Sequence, residues 1–592
     1  MKRYITTLIL CFAVSFMASA QVVKQVEVTK SYAPEVGEAQ KLNLTPSLED
    51  NEDMKLGADE VDYSITKRPF ASELSTHQFK PAKVTYWEYE HNYPFYLKLG
   101  VGYPLNTVGD FYASTHRANV GYLTGYINHN GQYSKLKYRN GYDGNTYKDN
   151  RSLQMNNRFG VMGGKYFGRY TLAGDLNYSM NLYHRYPFHN VYAEDGTPVL
   201  EYNRRKVDYD DVKLSLSFGD SFTDYSSLNF KVYASADIYN DKSEHFIKES
   251  LYQQANTTAG VALAREITKR SALALNFDYE GYYGLKSLKA YRNSIVGADV
   301  RYSFRSGGLI DLTVGAKVLY DNNPADKVKQ SRWHGFPYLS MSLNVNDKGV
   351  FVPYVEVDGE LQNNSYYSLL RRNPYVAILD GVNGSLSADS AVPNTELYNV
   401  RFGVSGHTEG SKFAYRFYAN MSFMKNAIYW YNINQIFFGV ESASRNVWSL
   451  CGAVDYRPIS QLLITAQVKG TLYTNFSNVE DAMPNVEALV SARYTHKKFT
   501  AGMSAELYGP TKWTCIQDDK LFQPTSTNTV QTGVFRARTS LDLSLYGDYH
   551  VSNTCTVYGE VNNILGDVMP TYRWAFYREL GASFTVGVKV QF

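Results

Sequence analysis

The sequence predicts an all-β fold: a transmembrane antiparallel β-barrel of about 22 strands, within a range of roughly 14 to 24, behind an extended N-terminal segment. Three observations support this prediction. Runs of about ten residues alternate between apolar and polar side chains, and the connections between these runs alternate between tight turns and long polar loops. The last stretch of the chain, 584–592, continues the alternation to the final residue.

The composition fits a large membrane barrel and not a helical membrane protein. The 592 residues include 52 Tyr and 43 Gly but only 18 Pro, and 44% of them are hydrophobic. After the first twenty residues, no uncharged apolar run approaches the roughly 18 residues that a spanning helix needs. A formal net charge of +3 argues against a nucleic-acid partner.

Residues 1–20 have the three parts of a secretory signal peptide. Lys2 and Arg3 form the basic region, and Ile5 to Met17 forms the apolar core. The small residues Ala18-Ser19-Ala20 then provide a cleavage site. We therefore expect export to the periplasm of a Gram-negative cell and removal of residues 1–20.

Residues 21–93 form a separate segment with a different composition. Residues 49–62 carry seven acidic side chains opposed only by Lys55, and prolines recur along the segment, so we expect it to be extended. Near its start, Val26-Glu27-Val28-Thr29 precedes Lys30-Ser31-Tyr32-Ala33-Pro34 and resembles the TonB box of TonB-dependent receptors. The resemblance implies that these residues add as a β-strand to the sheet of TonB, the energy-transducing partner. The alternative is an ordinary extended linker.

Members of that family carry a folded plug, rich in glycine turns, between the box and the first barrel strand. In this chain, Gly37 and Gly57 are the only glycines between Thr29 and Tyr93. We therefore expect a truncated plug or a docking leader. Such a segment would thread into the lumen, run under the periplasmic mouth or bind another protein.

Residues 94–592 form the predicted barrel. In 310–320 and in 462–472 the even-numbered residues form the outward apolar set, and the polar residues between them face water. Tight turns are expected at 167–169, 306–308, 346–349, 457–460, 496–498 and 552–554, and long loops at 185–207, 363–396, 431–445, 510–534 and 566–579. Short turns lie at the periplasmic rim of such barrels. The strand number, the box-like start and the segment Val561-Asn562-Asn563-Ile564-Leu565-Gly566 together resemble a TonB-dependent receptor barrel.

The final strand is expected to close the barrel by pairing with the strand near Phe95 to Gly102. Its outward residues are Phe584, Val586, Val588, Val590 and Phe592, while Lys589 faces inward. A terminal strand that ends in Phe resembles the signal by which the barrel assembly machinery recognises outer-membrane proteins. These five outward residues are therefore the predicted assembly signal.

Aromatic residues near strand ends predict the two girdles that flank the apolar band of a membrane barrel. The predicted girdle residues are Tyr122, Tyr126, Tyr133, Tyr166, Tyr170, Tyr302, Tyr320, Tyr494 and Trp430.

The inward face carries charges of both signs. The candidate lumen charges are Glu356, Asp358, Glu360, Arg493, Glu506 and Asp542. The row from Glu356 to Glu360 on one strand is expected to line a cation route or to receive basic residues of the N-terminal segment. The alternative is a solvated wall without a ligand.

No pattern in the sequence predicts an enzyme, a metal site or a cofactor. We find no Ser/His/Asp order, no His/Glu metal spacing and no glycine-rich phosphate loop. Cys451 and Cys555 fall on predicted strands, and Cys515, placed in a loop beside Trp513, is the one thiol that we would test for reactivity.

Two functions are favoured, ahead of passive diffusion through an open pore and of an enzyme on a barrel of about 12 strands. The first is an outer-membrane protein, similar to TonB-dependent receptors, that takes up a ligand across the membrane. The second is a structural or accessory barrel subunit of a larger outer-membrane assembly or uptake complex, docked through its N-terminal segment. The expected partners are outer-membrane lipid, the barrel assembly machinery, and TonB or an outer-membrane partner subunit.

Overall fold

A computed structural model describes residues 93–592, except 118, 140–145, 186–190, 193–197, 201–205, 223–224, 244–251, 307, 324–331, 346–348, 377–391, 409–411, 482–483 and 518–530. The predicted signal peptide and the predicted N-terminal segment up to residue 92 lie outside the described residues. Among the described residues, no helix is long and apolar enough to span a bilayer.

The described chain contains 28 strands and one short helix. In chain order they are β1 (Phe95–Tyr103), β2 (Asn106–Arg117), β3 (Gly121–Arg139), β4 (Thr146–Phe167), β5 (Tyr170–His184), β6 (Val191–Tyr192), β7 (Pro198–Leu200), β8 (Lys206–Asp220), β9 (Asn229–Asp241), β10 (Tyr252–Thr268), β11 (Ser271–Lys286), β12 (Arg292–Ser306), β13 (Ile310–Asp321), β14 (Trp333–Leu343), β15 (Val352–Gln362), α1 (Tyr366–Arg372), β16 (Thr395–His407), β17 (Phe413–Ile433), β18 (Phe437–Ile459), β19 (Leu462–Asn475), β20 (Val486–His496), β21 (Phe499–Tyr508), β22 (Thr511–Gln517), β23 (Gln531–Ala537), β24 (Ser540–His550), β25 (Cys555–Asn562), β26 (Tyr572–Trp574), β27 (Tyr577–Arg578) and β28 (Ser583–Gln591).

The main sheet is a closed barrel. It contains 24 strands, of which β22 and β23 form a hairpin attached to β17 by parallel pairing. The other 22 strands follow one another around the barrel in antiparallel order, so the predicted strand number is confirmed. The hairpins β6–β7 and β26–β27 are separate two-stranded sheets.

The predicted closure between the two ends of the barrel is confirmed. β1 pairs with β28 from Tyr96 opposite Gln591 to Tyr103 opposite Phe584. Phe95 and Phe592 exchange two backbone hydrogen bonds of 3.0 Å, and their rings stack with centroids 5.2 Å apart. At the opposite edge, the rings of Tyr103 and Phe584 lie 6.2 Å apart. The two aromatic pairs mark the edges of the lipid-facing band on this side of the barrel.

The connections divide the two rims as expected. At the rim that carries the start of β1 and the end of β28, every connection between barrel strands has two to eight residues, with two-residue turns at 168–169 and 497–498, and we call it the periplasmic rim. The two-residue connection 104–105 is a short one at the opposite rim. Gly168 has a φ of +64°, a conformation that glycine adopts without strain. The turn predicted at 457–460 falls at 460–461 because β18 continues to Ile459. Residues 346–348 of another predicted turn lie outside the described residues.

The opposite, outer rim carries the long connections 185–205, 363–394, 509–539 and 563–582. The long loop predicted at 431–445 is wrong. β17 and β18 have 21 and 23 residues and are joined by 434–436 alone. The strands continue because this stretch is rich in aromatic and β-branched residues, which favour strands, and because its side chains are buried.

The outer wall is apolar, with exposed Leu, Val, Ile and Phe on alternating positions of the strands. Five of the predicted girdle residues share the outward phase of their strands: Tyr133, Tyr170, Tyr302, Tyr320 and Tyr494. Three others are wrong as girdle residues, because Tyr122, Tyr126 and Tyr166 fall on the inward phase. Trp430 is also wrong, since it is completely buried inside the outer mouth. The position of an aromatic residue near a strand end therefore predicts a girdle residue less well than the two-residue alternation of the strand does.

Candidate functional site

The outer mouth of the barrel is covered by connections that fold inward. They are α1 with the residues after it up to Val376, the tip of the β17–β18 hairpin, the β22–β23 hairpin and the β26–β27 hairpin; we call these elements the cap. The cap shares one hydrophobic core with inward-facing residues of β5, β8, β9 and β10. The buried aromatic residues of this shared core are Tyr183, Tyr209, Tyr239, Tyr252, Tyr366, Tyr367, Tyr375, Trp430, Phe438, Trp513, Trp574 and Tyr577.

The sequence at both ends of α1 accounts for its length. Ser365 is the N-cap, and its hydroxyl accepts a hydrogen bond from the backbone N–H of Ser368. Two basic residues, Arg371 and Arg372, occupy the last turn, where cations interact favourably with the helix dipole. Pro374 follows the C-cap and prevents the helix from continuing.

α1 is fixed to the inner wall at β9 and β10. The hydroxyl of Tyr366 donates to the Asp241 carboxylate at 2.6 Å. The side-chain amide of Gln254 donates to the Ser365 hydroxyl at 2.9 Å and accepts from the backbone N–H of Tyr367 at 3.2 Å. Burial, and then the Asp241 carboxylate, hold the pKa of Tyr366 well above its ordinary value, so the hydroxyl remains a donor.

Aromatic rings join the cap elements at its centre. The rings of Tyr375 and Tyr577 stack with centroids 3.7 Å apart. Trp574 of β26 meets Trp430 and Phe438 edge to face, with centroid distances of 5.6 and 5.3 Å. Each such pair is worth about 0.5–1.5 kcal/mol beyond the burial of its area. The centre of the cap is therefore packed as the core of a folded domain.

The cap connects three separated parts of the wall. α1 lies on β9 and β10, the hairpin tip continues β17 and β18, and β26–β27 lies between β25 and β28 in the chain. β22 extends the hairpin tip through the parallel pairs Asn432 with Cys515 and Ile433 with Ile516. The cap therefore links these parts of the wall across the outer mouth.

A buried ion pair stabilises the tip of the β17–β18 hairpin. Arg445 is 1% exposed, donates to Asp481 at 2.9 Å, and lies over the Tyr429 ring at 3.9 Å. Arg185, also 1% exposed, lies over the ring of Phe437 at 5.0 Å. Removing one partner of a buried pair typically costs about 3–5 kcal/mol. These contacts hold the hairpin tip in its inward position.

The underside of the cap carries the side chains best suited to bind a polar ligand. The guanidinium of Arg371 interacts electrostatically with Asp211 of β8 and Asp237 of β9, which point into the lumen below α1. Arg372 interacts with Glu360 of β15 and donates to the side-chain oxygen of Asn364 at 3.1 Å, although burial lowers the pKa of Arg372. We call these five charged residues the sub-cap cluster. The cluster offers hydrogen-bond donors and acceptors to a ligand beneath the aromatic residues of the cap.

One of the predicted lumen charges therefore belongs to this cluster. Glu356, Asp358 and Glu360 share the inward phase of β15. Glu356 is paired with Arg401 of β16 at 2.6 Å, and the Glu360 carboxylate accepts from Gln362 at 2.7 Å. Glu356, at the middle of the row, belongs to a part of the wall with charges of both signs. Glu360, at the outer end of the row, belongs to the sub-cap cluster.

The other predicted lumen charges lie elsewhere on the wall. Glu506 and Asp542 are register partners on β21 and β24, and Arg493 shares the inward phase of β20. The Glu506 carboxylate accepts from Tyr508 at 2.6 Å, and that of Asp542 accepts from Ser544 at 3.0 Å. These strands are not neighbours of β15, so the structure does not bring all six predicted charges together.

The inward charges of the closing strands form ion pairs that the sequence did not predict. Lys589, expected to face inward, is paired with Asp548 at 3.1 Å, and Lys98 is paired with Glu560 at 3.7 Å. Both ammonium groups lie over the ring of Tyr558, at 5.2 and 4.7 Å. The even-numbered residues of β25 face inward, so the alternation of the sequence places Tyr558 and Glu560 on the same face as Lys589.

Other sequence-predicted positions have separate outcomes. The TonB-box-like residues Val26, Glu27, Val28 and Thr29 lie outside the described residues. Cys515 lies on β22 and not in a loop, and its thiol contacts the carbonyl oxygen of Trp513 at 3.5 Å. Burial raises the pKa of Cys515 to about 11, which disfavours the reactive thiolate. In the part of the chain that the structure describes, no group of three or more His, Cys, Asp or Glu residues is arranged to hold a metal ion.

Comparison with solved structures shows the fold. The FrpB iron transporter from Neisseria meningitidis aligns with a TM-score of 0.61 and 11% identity, over 85% of this chain and 82% of its own. The siderophore receptor PirA from Acinetobacter baumannii aligns with a TM-score of 0.60 and 11% identity, over 84% and 80%. The copper transporter OprC aligns with a TM-score of 0.57 and 14% identity, over 85% and 82%.

The sequence matches no protein-family model and no curated protein sequence. The similarity is therefore one of architecture. The described chain shares the fold of these transporters and receptors, and its own barrel has 22 strands.

Proposed function

We propose that this protein is an outer-membrane receptor that takes up a ligand across the outer membrane, driven by TonB through the segment that begins near Val26. The cap is the observation that carries the proposal. A barrel of 22 strands has an interior wide enough for an aqueous channel. Here the outer mouth holds a packed aromatic core, so passage must be gated and not continuous diffusion.

The sub-cap cluster is the proposed ligand site. Arg371 and Arg372 supply cationic donors, while Asp211, Asp237 and Glu360 supply acceptors, at the point that a ligand reaches first when the cap opens. Transport and not catalysis is supported by the solved structures of the same fold, which are transporters and receptors. Export through the predicted signal peptide is part of the proposal.

The energy source is tested by capture on the periplasmic domain of TonB. The full chain, purified from solubilised outer membranes, should be retained by immobilised TonB domain. Deleting Val26 to Thr29 should abolish retention, because the strand that extends the TonB sheet is then missing. Deleting residues 40–43 is the matched control within the same segment. Equal retention of the full chain and the Val26 to Thr29 deletion would remove TonB from the account.

A second function, an accessory subunit of a larger membrane complex, is favoured by one polar group on the lipid-facing wall. His129 of β3 bonds the Thr107 hydroxyl at 2.8 Å and the Asn157 side chain at 2.6 Å, and all three side chains share the outward phase. Thr107 is the register partner of Val101, which lies between the aromatic edges of the band. Polar groups are costly in hydrocarbon, so a protein partner is a reasonable occupant.

The two functions make different predictions for purification. A receptor that works alone should be recovered from mild detergent without a stoichiometric partner. An accessory subunit should be recovered with one, and changing His129 to Leu should release that partner while the barrel remains folded. Recovery as a single species, unchanged in His129→Leu, would eliminate the subunit hypothesis.

A further inference from the structure

The barrel wall has an incomplete interface between β14 and β15. β14 forms eleven register pairs with β13, and β15 forms eleven with β16. Between β14 and β15 there are four, from Leu339 opposite Val357 to Ser342 opposite Tyr354. Among the described residues, no register pair joins the outer halves, 333–338 and 358–362. We call this outer part of the interface the seam.

At the seam the two parts of the wall overlap. Phe336 has the inward phase of β14, whereas Leu361 of β15 and Tyr398 of β16 have the outward phase of their strands. These side chains nevertheless pack together, with the rings of Phe336 and Tyr398 5.0 Å apart, and with the inward Ile295 and Leu319. The outer face of β15–β16 therefore lies against the inner face of β12–β14.

Side chains replace the missing backbone ladder. The Tyr398 hydroxyl donates to the carbonyl oxygen of Gly335 at 3.3 Å. His334, 7% exposed, contacts the Glu396 carboxylate at 3.1 Å and that of Asp321 at 3.9 Å. Pro337 lies within β14 and has no N–H, a property that confines proline to sheet edges and bulges. The seam is thus held by an apolar overlap and a few polar contacts.

The seam faces the outer half of the membrane. Trp333 and Tyr320, with ring centroids 5.1 Å apart, lie at its outer end in the position of the outer girdle, and Trp333 is 64% exposed. Directly below the seam, an apolar groove of about 460 Å³ crosses the lipid-facing wall. Its outward-facing lining includes Met341, Leu343, Val355, Phe402, Phe417 and Leu450.

We propose that the seam is a lateral passage through which an amphiphile with an acyl chain moves between the lumen and the surrounding bilayer. The chain rests in the groove, which lies in the hydrocarbon band and is lined by apolar side chains. The overlapping strands separate by sliding past each other. Four register pairs join β14 to β15, whereas each neighbouring interface has eleven, so less backbone pairing resists the movement. This proposal goes beyond uptake from the outer mouth and does not depend on TonB.

A disulfide lock tests the passage. Leu339→Cys with Val357→Cys joins the outermost register pair of the β14–β15 interface. The matched control, Val314→Cys with Leu339→Cys, joins β13 to β14 where the ladder is complete. Unchanged heat-modifiable migration of both variants shows that the barrels are folded. Phe336→Ala provides a third variant that loosens the overlap without a disulfide.

The probe is palmitate carrying a photoactivatable diazirine, added to the full chain in lipid nanodiscs. Labelled peptides are expected from the groove and from the lumen face of β15 in the native chain and in the control. The lock should remove the lumen labelling alone, and Phe336→Ala should increase it. Lumen labelling that survives the lock, or labels restricted to the outer wall of the unlocked chain, would overturn the proposal. A crosslinked dimer formed at the groove in place of lipid adducts would also overturn it.

Discussion

At the scale of single residues, Phe592 has two roles at the closure of the barrel. Phe592 extends the apolar outward row of β28 and stacks on Phe95 across the closing pair. The backbones of these two residues also exchange hydrogen bonds at the periplasmic rim. The predicted assembly signal and the last contact of the closed barrel therefore coincide.

Deletion of Phe592 should lower the amount of inserted barrel more than it changes the behaviour of the barrel that does insert. The deletion removes the aromatic end of the predicted assembly signal and the stack with Phe95. Quantitative heat-modifiability of outer-membrane fractions measures the inserted amount. Phe592→Trp, which keeps an aromatic end, should restore insertion. Wild-type levels of the deletion variant would contradict the role of this residue.

Cys515 should react slowly with maleimide in the folded protein. A pKa of about 11, caused by burial, leaves about a hundredfold less thiolate at pH 8 than an ordinary thiol would have. The measurement is the labelling rate at pH 8 in a chain that carries Cys451→Ser and Cys555→Ser, compared with the same chain unfolded. Equal rates in the two states would show that Cys515 is accessible and ordinary.

At the scale of elements, the alternation of the sequence predicted the barrel strands but did not predict the cap. A two-residue period is local, and for that reason the outward residues of β28 and its pairing with β1 could be inferred from two short segments. The cap depends on contacts such as Tyr375 with Tyr577, which are distant in the chain and lie in connections that look like polar loops. The same limit hid the role of Trp430, which strand-end position alone assigned to the girdle.

The sequence of β14 contains a signal that indicates the seam. Pro337 inside an otherwise regular strand indicates an edge, and Gly335 precedes it by two residues. What the sequence could not provide is the overlap itself, because the phase of β15 relative to β14 depends on three-dimensional packing around Phe336.

Trp574→Ala should loosen the cap as a unit. Replacing a buried tryptophan by alanine typically costs about 3–5 kcal/mol, and Trp574 is 3% exposed between Trp430 and Phe438. Hydrogen exchange of the α1 and β26–β27 amides should accelerate together, while the barrel strands keep their protection. Trp333→Ala, at an exposed position, is the control. Faster exchange confined to β26–β27 would contradict a cap that moves as one element.

At the scale of the whole molecule, a wide barrel, an inward-folded cap and a charged cluster beneath it form one arrangement. Without the cap, the wall would enclose a permanently open channel. Together they place Arg371 and Arg372 on the lumen side of the cap, close to the carboxylates of Asp211, Asp237 and Glu360 on the wall. The central claim is that the cap closes the lumen from the outside.

Labelling of intact cells with a membrane-impermeant maleimide measures whether the cap closes the lumen. Asp237→Cys places a thiol on the lumen wall below α1, and Lys242→Cys places one at an exposed site on the outer rim just beyond β9. Rapid labelling is expected at 242 and background labelling at 237, and the labelling at 237 should rise when Trp574→Ala is added. Equal labelling of the two positions beneath an unaltered cap would show that the cap does not close the lumen.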